Sequence, residues 1–220
     1  MTVFESCRVL NQNIVVVYAE PLYPEVPTDE IKREYSPADG WAIVDMQPPG
    51  VLVIQNPTKK EHIQIEGQRL TVGIAGSGID PSKVESQRLV GLLGQVREVL
   101  PKRSITAFGV NLEIELTLQS TAGTSREAFL GLMPAAKNAA AQLGAADFRF
   151  MPSMVLHVDN TRYSFGVQLP DSEGHQFKVK SNAHRDAKRL PPSRSLAKFV
   201  DDALKFDCQI LEMMFGISHE

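Results

Sequence analysis

The chain has 220 residues, of which 43% are hydrophobic and 22% are charged, and its formal net charge is −3. It is therefore long enough to bury a sizeable core and too apolar to be disordered throughout. The net charge is too small to predict a polyanionic partner for the protein as a whole. Cys7 and Cys208, the two cysteines of the sequence, lie near its opposite ends, which excludes a disulfide framework and metal-ligand spacing.

The N-terminal residues MTVFESCRVLNQN lack the basic segment and the apolar run of a signal peptide. No apolar stretch approaches the roughly 20 residues that a helix needs to cross a bilayer. We therefore expect a cytoplasmic protein with reduced thiols and without a membrane partner.

The first hundred residues are predicted to form a strand, a short helix, an antiparallel meander and a long helix. Asn13–Glu20 is rich in β-branched residues and stops at Pro21, as a buried strand does. TDEIKREY is a short helix candidate with Thr28 as its N-cap. Four strand-like runs follow, and the links between them are too short for a parallel crossover: WAIVDMQ, VLVIQN, EHIQIEG and RLTVGIA.

The stretch TVGIAGSGIDPSK raises the question of a phosphate-binding loop, because three glycines precede a helix start. Gly73, Gly76 and Gly78 have the order G-x-x-G-x-G, whereas a dinucleotide site needs G-x-G-x-x-G after the first strand of a βαβ unit. We therefore predict a structural turn, with an anion site on the helix N-terminus as the alternative. Asp80 is predicted to cap the amphipathic helix that follows and ends at Pro101.

The clearest pattern lies in ITAFGVNLEIELTL, which alternates between apolar residues and polar or small ones. It predicts a long strand with one face in the core, and it places Glu113 and Glu115 on the accessible face. We interpret these carboxylates as groups that keep an open sheet face soluble, rather than as a catalytic or metal-binding pair. They also argue against DNA on that face, because they would repel its phosphates.

The remaining sequence repeats the earlier order of elements. Helices are predicted at 125–132 and 135–143, and strands in FRFMPSMVLHV, RYSFGVQL and HQFKVKS. A polar, basic loop that begins at Ser181 then leads to a final amphipathic helix from about 195 to 215. Cys208 lies on this helix and is predicted to be a packing residue.

An internal duplication is predicted from the order of elements and from a match between two hairpins. VLVIQNPTKKEHIQI, which begins at Val51, aligns with VLHVDNTRYSFGVQL, which begins at Val155, with one deletion. We predict an α+β protein in which two pseudo-duplicated β-α-β-meander-α units, 1–101 and 102–220, form one continuous compact domain. The units would join in a curved antiparallel sheet covered by two long helices.

This order of elements resembles the TATA-binding-protein-like fold, although the residues with which that family contacts DNA are not recognised in this sequence. The strand AFGVNLEIEL in mid-chain and the closing segment FDCQILEMMFGISHE are also similar to those of a group of uncharacterised bacterial proteins. Genes of that group sometimes lie beside defence systems. This resemblance implies an accessory subunit of a bacterial multi-protein system.

A basic cluster is the candidate contact site for a partner. Its basic members are Lys178, Lys180, Arg185, Lys188, Arg189, Arg194 and Lys198. The cluster contains one acid, Asp186. It suits the phosphate backbone of a nucleic acid or an acidic protein surface, and the alternative is a solvated loop. Aromatic residues that could stack on bases are missing from it.

Three functions stay open, because the sequence contains no complete catalytic, metal or cofactor constellation and predicts no cofactor. The first hypothesis is a non-enzymatic protein that holds a protein partner with its sheet face and the basic cluster. The second is a nucleic-acid-binding protein that uses the same cluster with Lys102 and Arg103. The third is a small-ligand binder or an unrecognised enzyme with a pocket between sheet and helices. The unpaired outer strands of such a sheet also allow a dimer, as they do in sheets generally.

Overall fold

The computed structural model describes residues 4–46, 50–79, 85–118, 153–168 and 176–214, together with position 142. Within these residues the chain forms nine strands and three α-helices. The strands are β1 (Phe4–Tyr18), β2 (Ala42–Met46), β3 (Val51–Asn56), β4 (Glu61–Glu66), β5 (Arg69–Ile79), β6 (Ile105–Leu118), β7 (Ser153–Val158), β8 (Thr161–Gln168) and β9 (Gln176–Asp186). The helices are α1 (Thr28–Glu34), α2 (Ser86–Val99) and α3 (Ser193–Met214), and a 3-10 turn at Pro37–Asp39 follows α1.

All nine strands belong to one antiparallel sheet in the order β2-β3-β4-β5-β1-β6-β9-β8-β7. The two longest strands, β1 and β6, pair at its centre, from Phe4 opposite Leu118 to Tyr18 opposite Ile105. The meander of β2 to β5 extends the sheet on one side of this pair, and β9, β8 and β7 extend it on the other. The predicted α+β class with a large antiparallel sheet is confirmed.

Side chains alternate between the two faces of the sheet along each strand. We call one of them the helix face; it carries Ile14, Val110 and Val179, which are buried. We call the other the open face; it carries Asn13 of β1 and Asn111 of β6, which are partly exposed. The alternation predicted for β6 is confirmed.

The helices α2 and α3 pack on the helix face and against each other. α2 contacts β5 and β1, and α3 contacts β6. Leu89 and Val96 of α2 and Val200 of α3 are fully buried in a hydrophobic cluster that includes strands from both sides of the β1–β6 pair. Removal of this apolar surface from water, at about 25 cal/mol per Å², is the main force that holds the helices to the sheet.

The glycine-rich stretch is part of a strand, and the prediction of a turn there was wrong. Gly73, Gly76 and Gly78 all lie within β5. The reason is the length of β1, which pairs with β5 as far as Ile79 opposite Val9, past an irregularity in the register. A long neighbouring strand offers backbone hydrogen bonds to residues that have little strand propensity of their own.

The prediction of a loop that begins at Ser181 was also wrong. Here too a long neighbouring strand extends its partner, because β9 pairs with β6 as far as Asp186. Thr28 was also wrongly assigned as an N-cap. It is the first residue of α1, after Pro27, and its hydroxyl donates to the carbonyl oxygen of Val26. Its hydroxyl therefore accepts no hydrogen bond from the unpaired backbone N–H groups of the first helical turn.

Other predictions are confirmed or lie outside the described residues. The four-stranded meander and the final helix are confirmed, and Cys208 of α3 is partly buried against the core. The cap at Asp80 and the helices predicted at 125–132 and 135–143 lie outside the described residues.

The helix face contains a buried amide without a hydrogen-bond partner among the described residues. Gln12 of β1 is fully buried between Ile74 and Leu112 of the neighbouring strands, and neither its Oε1 nor its Nε2 is paired. We expect Gln12→Met, which keeps the volume and removes the amide, to raise the free energy of unfolding by about 1–3 kcal/mol. Urea denaturation measures this change, and a lower midpoint in the variant would contradict it.

A buried carboxyl group lies between α3 and the sheet. Asp207 of α3 is 1% exposed and accepts a hydrogen bond from the Ser181 hydroxyl of β9. Burial raises the pKa of Asp207 to about 7, and the hydrogen bond from Ser181 offsets part of that rise. The folded protein therefore keeps the Asp207 carboxyl protonated to a higher pH than the unfolded chain does.

This pKa predicts that stability falls as the pH rises. The stabilisation is present below the ordinary carboxyl pKa of about 4 and is lost as the pH passes the folded value near 7. We expect this group to lower the free energy of unfolding by up to about 4 kcal/mol between about pH 4 and pH 8. Asp207→Asn should remove that dependence and be more stable than wild type at the higher pH. Urea denaturation across the range tests this, and parallel pH profiles for the two proteins would contradict it.

Candidate binding site on the open face of the sheet

Residues of low strand propensity are concentrated on the open face of the central strands. Asparagine and glycine are depleted from strands, and a glycine within a strand often marks the close approach of a ligand or another backbone. Both residue types recur on five adjacent strands, at Gly73, Asn11, Asn13, Gly109, Asn111, Asn182 and Gly166. They face away from α2 and α3.

Three of the asparagines form a hydrogen-bonded row, which we call the asparagine ladder. Asn13 of β1 lies opposite Asn111 of β6, and Asn111 lies opposite Asn182 of β9. Asn182 Nδ2 donates to Asn111 Oδ1 at 2.6 Å, and Asn111 Nδ2 donates to Asn13 Oδ1 at 2.7 Å. The ladder therefore ends in an amide donor on Asn13 and in a carbonyl acceptor on Asn182.

A second row of residues runs parallel to the ladder, two residues further along the strands. Its members lie opposite one another on β1, β6, β9, β8 and β7 and are Asn11, Glu113, Lys180, Gly166 and Ser153. The two rows line a concavity of about 590 Å³. Gly166 leaves room in it, because a Cβ added there would have no atom within 4 Å. The volume is in the range of ligand-binding pockets.

His62 of β4 flanks the Asn13 end of the ladder, and its imidazole covers Gly73 of β5. A Cβ added at Gly73 would lie 2.1 Å from His62 Cε1 and 2.9 Å from Asn13 Cβ. The glycine is therefore required for this position of the ring. Burial lowers the pKa of His62, so the imidazole is neutral at neutral pH.

Charges of both signs surround the concavity. Glu113 of β6 lies directly opposite Lys180 of β9, yet neither forms an ion pair among the described residues. Arg8 Nη1 lies 3.1 Å from Glu115 Oε1, and Lys178 is opposite that glutamate on the other side. The open face is thus of mixed charge, and it lacks the uniform positive potential that a polyanion requires.

The structure places the predicted basic cluster on both faces of the sheet. Lys178 and Lys180 lie on the open face. Arg185 lies on the helix face, where its Nε donates to Thr161 Oγ1 at 2.6 Å and its guanidinium is 4.5 Å from the ring centroid of Phe199. It is therefore engaged in packing and hydrogen bonding.

The other basic residues follow β9. Lys188 and Arg189 are exposed in the link to α3, and Arg194 is exposed in the first turn of α3. Lys198 Nζ lies 2.5 Å from Asp202 Oδ2 on the same helix. The cluster is therefore contiguous in sequence but divided in space.

Lys102 and Arg103, which the nucleic-acid hypothesis included, differ in exposure and in their partners. Lys102 is exposed. Arg103 donates to the Pro21 carbonyl and to Glu25, and it lies 3.8 Å from Glu20. Its charge is therefore balanced by acids of the loop that follows β1.

The arrangement is suited to recognition through hydrogen bonds, because amide side chains donate and accept without titrating. Within the described ranges, no three His, Cys, Asp or Glu side chains are close enough together to hold a metal ion. None of the helices in the described part of the chain is long and apolar enough to cross a membrane. The concavity lies on the open face, whereas the small-ligand hypothesis expected a pocket between sheet and helices.

Sequence reasoning identified Asn111 only as a member of the accessible face of a strand, and it missed Asn13 and Asn182. Asparagine at an outward position within a strand is a detectable signal, since it opposes strand propensity. Alignment of the three residues depends on the register across β1, β6 and β9, which no local pattern specifies. Comparisons with protein-family models and with curated proteins find no match.

The contact between His62 and Gly73 can be tested by a double-mutant cycle. The methyl group of Gly73→Ala would push both the His62 imidazole and Asn13 away from position 73. We expect the substitution to lower the free energy of unfolding by about 1–3 kcal/mol. His62→Ala should recover part of that loss when combined with Gly73→Ala, because the clash with the ring is removed. Gly166→Ala is the matched control and should be neutral or slightly stabilising, since its Cβ enters open space. Equal destabilisation by both glycine variants would contradict this interpretation.

Proposed function

We propose that the protein is a non-enzymatic interaction subunit that binds a protein partner on the open face of its sheet, around the asparagine ladder. The concentration of asparagine and glycine there carries the proposal. Glycine in the interior of a strand costs roughly 0.5–1 kcal/mol relative to alanine, and the range of strand propensities is about 1 kcal/mol. Residues that lower stability at the rigid centre of a sheet are best explained by a role in binding.

Mixed charge supports a protein partner over a nucleic acid. Glu113 and Glu115 lie on the same surface as Lys178 and Lys180. A phosphate backbone meeting this face would encounter both carboxylates. The open face of the described strands also carries no Phe, Tyr or Trp, and these are the side chains on which single-stranded bases stack. Nucleic-acid binding by Lys188, Arg189 and Arg194 is the alternative that the experiment below separates.

We further propose that the two halves of the chain arose by duplication. The strand order supports this, because β1 and β6 pair centrally and each is flanked on its outer side by the last strand of a meander. Each meander is also followed by an amphipathic helix, α2 or α3. The place of the protein in a bacterial multi-protein system, and its self-association through the outer strands, are predictions that follow from the resemblance and from the open sheet edges.

The first test is a pull-down of the tagged full chain from native cells, with and without nuclease. We expect a protein partner in stoichiometric amount with wild type after nuclease treatment, and its loss with Asn111→Thr. The substitution breaks both hydrogen bonds of the ladder. The higher strand propensity of threonine offsets part of the loss of these two hydrogen bonds. Urea denaturation of the purified variant checks that it is folded under the conditions of the pull-down, so that a lost partner is not attributed to unfolding.

The control is the triple variant Lys188→Glu, Arg189→Glu and Arg194→Glu, which changes the exposed basic residues away from the ladder. We expect it to retain the partner. Retention of the partner by Asn111→Thr would overturn the proposal. Co-purifying nucleic acid that disappears in the triple variant and at raised salt would replace it with the nucleic-acid function.

A further inference from the structure

We infer that the concavity binds an extended peptide segment that carries an acidic and a basic side chain, with Lys180 contacting the acid and Glu113 contacting the base. The asparagine ladder would contact the main chain of that segment. This inference rests on the proposed function and specifies the chemistry of the partner.

The unpaired charges at the site are the first argument. Glu113 and Lys180 are opposite neighbours on β6 and β9, at positions where side chains lie about 4.5–5.5 Å apart at Cβ. Opposite charges at such positions ordinarily attract, but these two form no ion pair among the described residues. Both line the concavity. One anionic and one cationic group are therefore available to a ligand with complementary charges.

The amides are the second argument. The ladder uses Nδ2 of Asn182 and Oδ1 of Asn13 internally, so the donor of Asn13 and the acceptor of Asn182 are directed to other partners. Asn11 Oδ1, which also borders the concavity, is buried and accepts no hydrogen bond from the described residues. Each peptide group carries one donor and one acceptor, which match these amides.

The shape of the site is the third argument. Ser153, Ser164 and Gly166 give the β7–β8 side of the concavity small side chains. An extended segment of a few residues fits a volume of about 590 Å³, whereas a large folded surface cannot enter it. Aliphatic ligands are disfavoured because polar groups with unused hydrogen-bonding capacity line the site.

The test uses the purified full chain on an array of random hexapeptides that are acetylated and amidated, so that no terminal charge contributes. We expect wild type to select peptides that contain both an acid and a base. Lys180→Glu should abolish the preference for the acid, and Glu113→Lys the preference for the base. Each substitution should weaken the binding of a peptide selected by wild type by about tenfold, which corresponds to the loss of one charged hydrogen bond. In the double variant the acid and the base of the site have exchanged places. It should therefore select peptides in which the acidic and the basic residue follow each other in the opposite order to that selected by wild type.

Lys188→Glu is the matched control, because it makes the same charge change outside the concavity, and it should leave selection unchanged. Selection that is identical in wild type and Lys180→Glu, or an array with no retained peptide, would overturn the inference. If the cellular partner is lost with Asn111→Thr while the array gives no charge-dependent selection, the interaction function stands and the peptide inference fails. If that partner is retained by Asn111→Thr, the proposed function itself fails.

Discussion

The antiparallel pairing of β1 with β6 is the interaction on which the rest of the structure depends. These strands are the longest in the sheet and lie far apart in the sequence, so their register aligns Asn13 with Asn111 across a separation of 98 residues. Each also serves as the template for a second strand, β5 or β9, and extends it into residues that would otherwise form turns. A shift of the register by one residue would move the ladder into the core and expose the aliphatic side chains of the helix face.

Each ladder residue is adjacent in sequence to a residue whose side chain lies on the helix face. A shift of the backbone therefore moves side chains on both faces together. Gln12 precedes Asn13, and Ser181 precedes Asn182. Ser181 donates to the buried Asp207 carboxyl, which connects α3 to the strand that supplies one end of the ladder. Packing of α3 against the sheet thus fixes the backbone from which Asn182 projects. The proposed binding site is therefore preorganised, so a partner would not have to order it.

Local sequence pattern predicted the strands of both meanders, the amphipathic final helix and the outward position of Glu113 and Glu115. These features depend on period and on turn residues, which are encoded within a few positions. Pattern failed where a distant strand decided the outcome, as at Gly73 in β5 and at Ser181 in β9. It also grouped Arg185 with Lys180, although alternation along β9 places them on opposite faces. Proximity in sequence is a poor guide to a binding surface within a strand, because successive side chains point to opposite sides.

The location of the ladder at the sheet centre follows from stability as well as from geometry. Asparagine and glycine weaken a strand, and an outer strand with one neighbour has few backbone hydrogen bonds with which to offset that loss. β1 and β6 each have two long neighbours, and their helix face is buried under α2 and α3. The central strands therefore tolerate unfavourable residues that the short outer strands could not. Pairing on both sides and packing under the helices also hold the hydrogen-bonding groups of the proposed site in fixed positions. A surface that recognises its partner through directional hydrogen bonds requires that rigidity, since such bonds weaken steeply when donor and acceptor are misaligned.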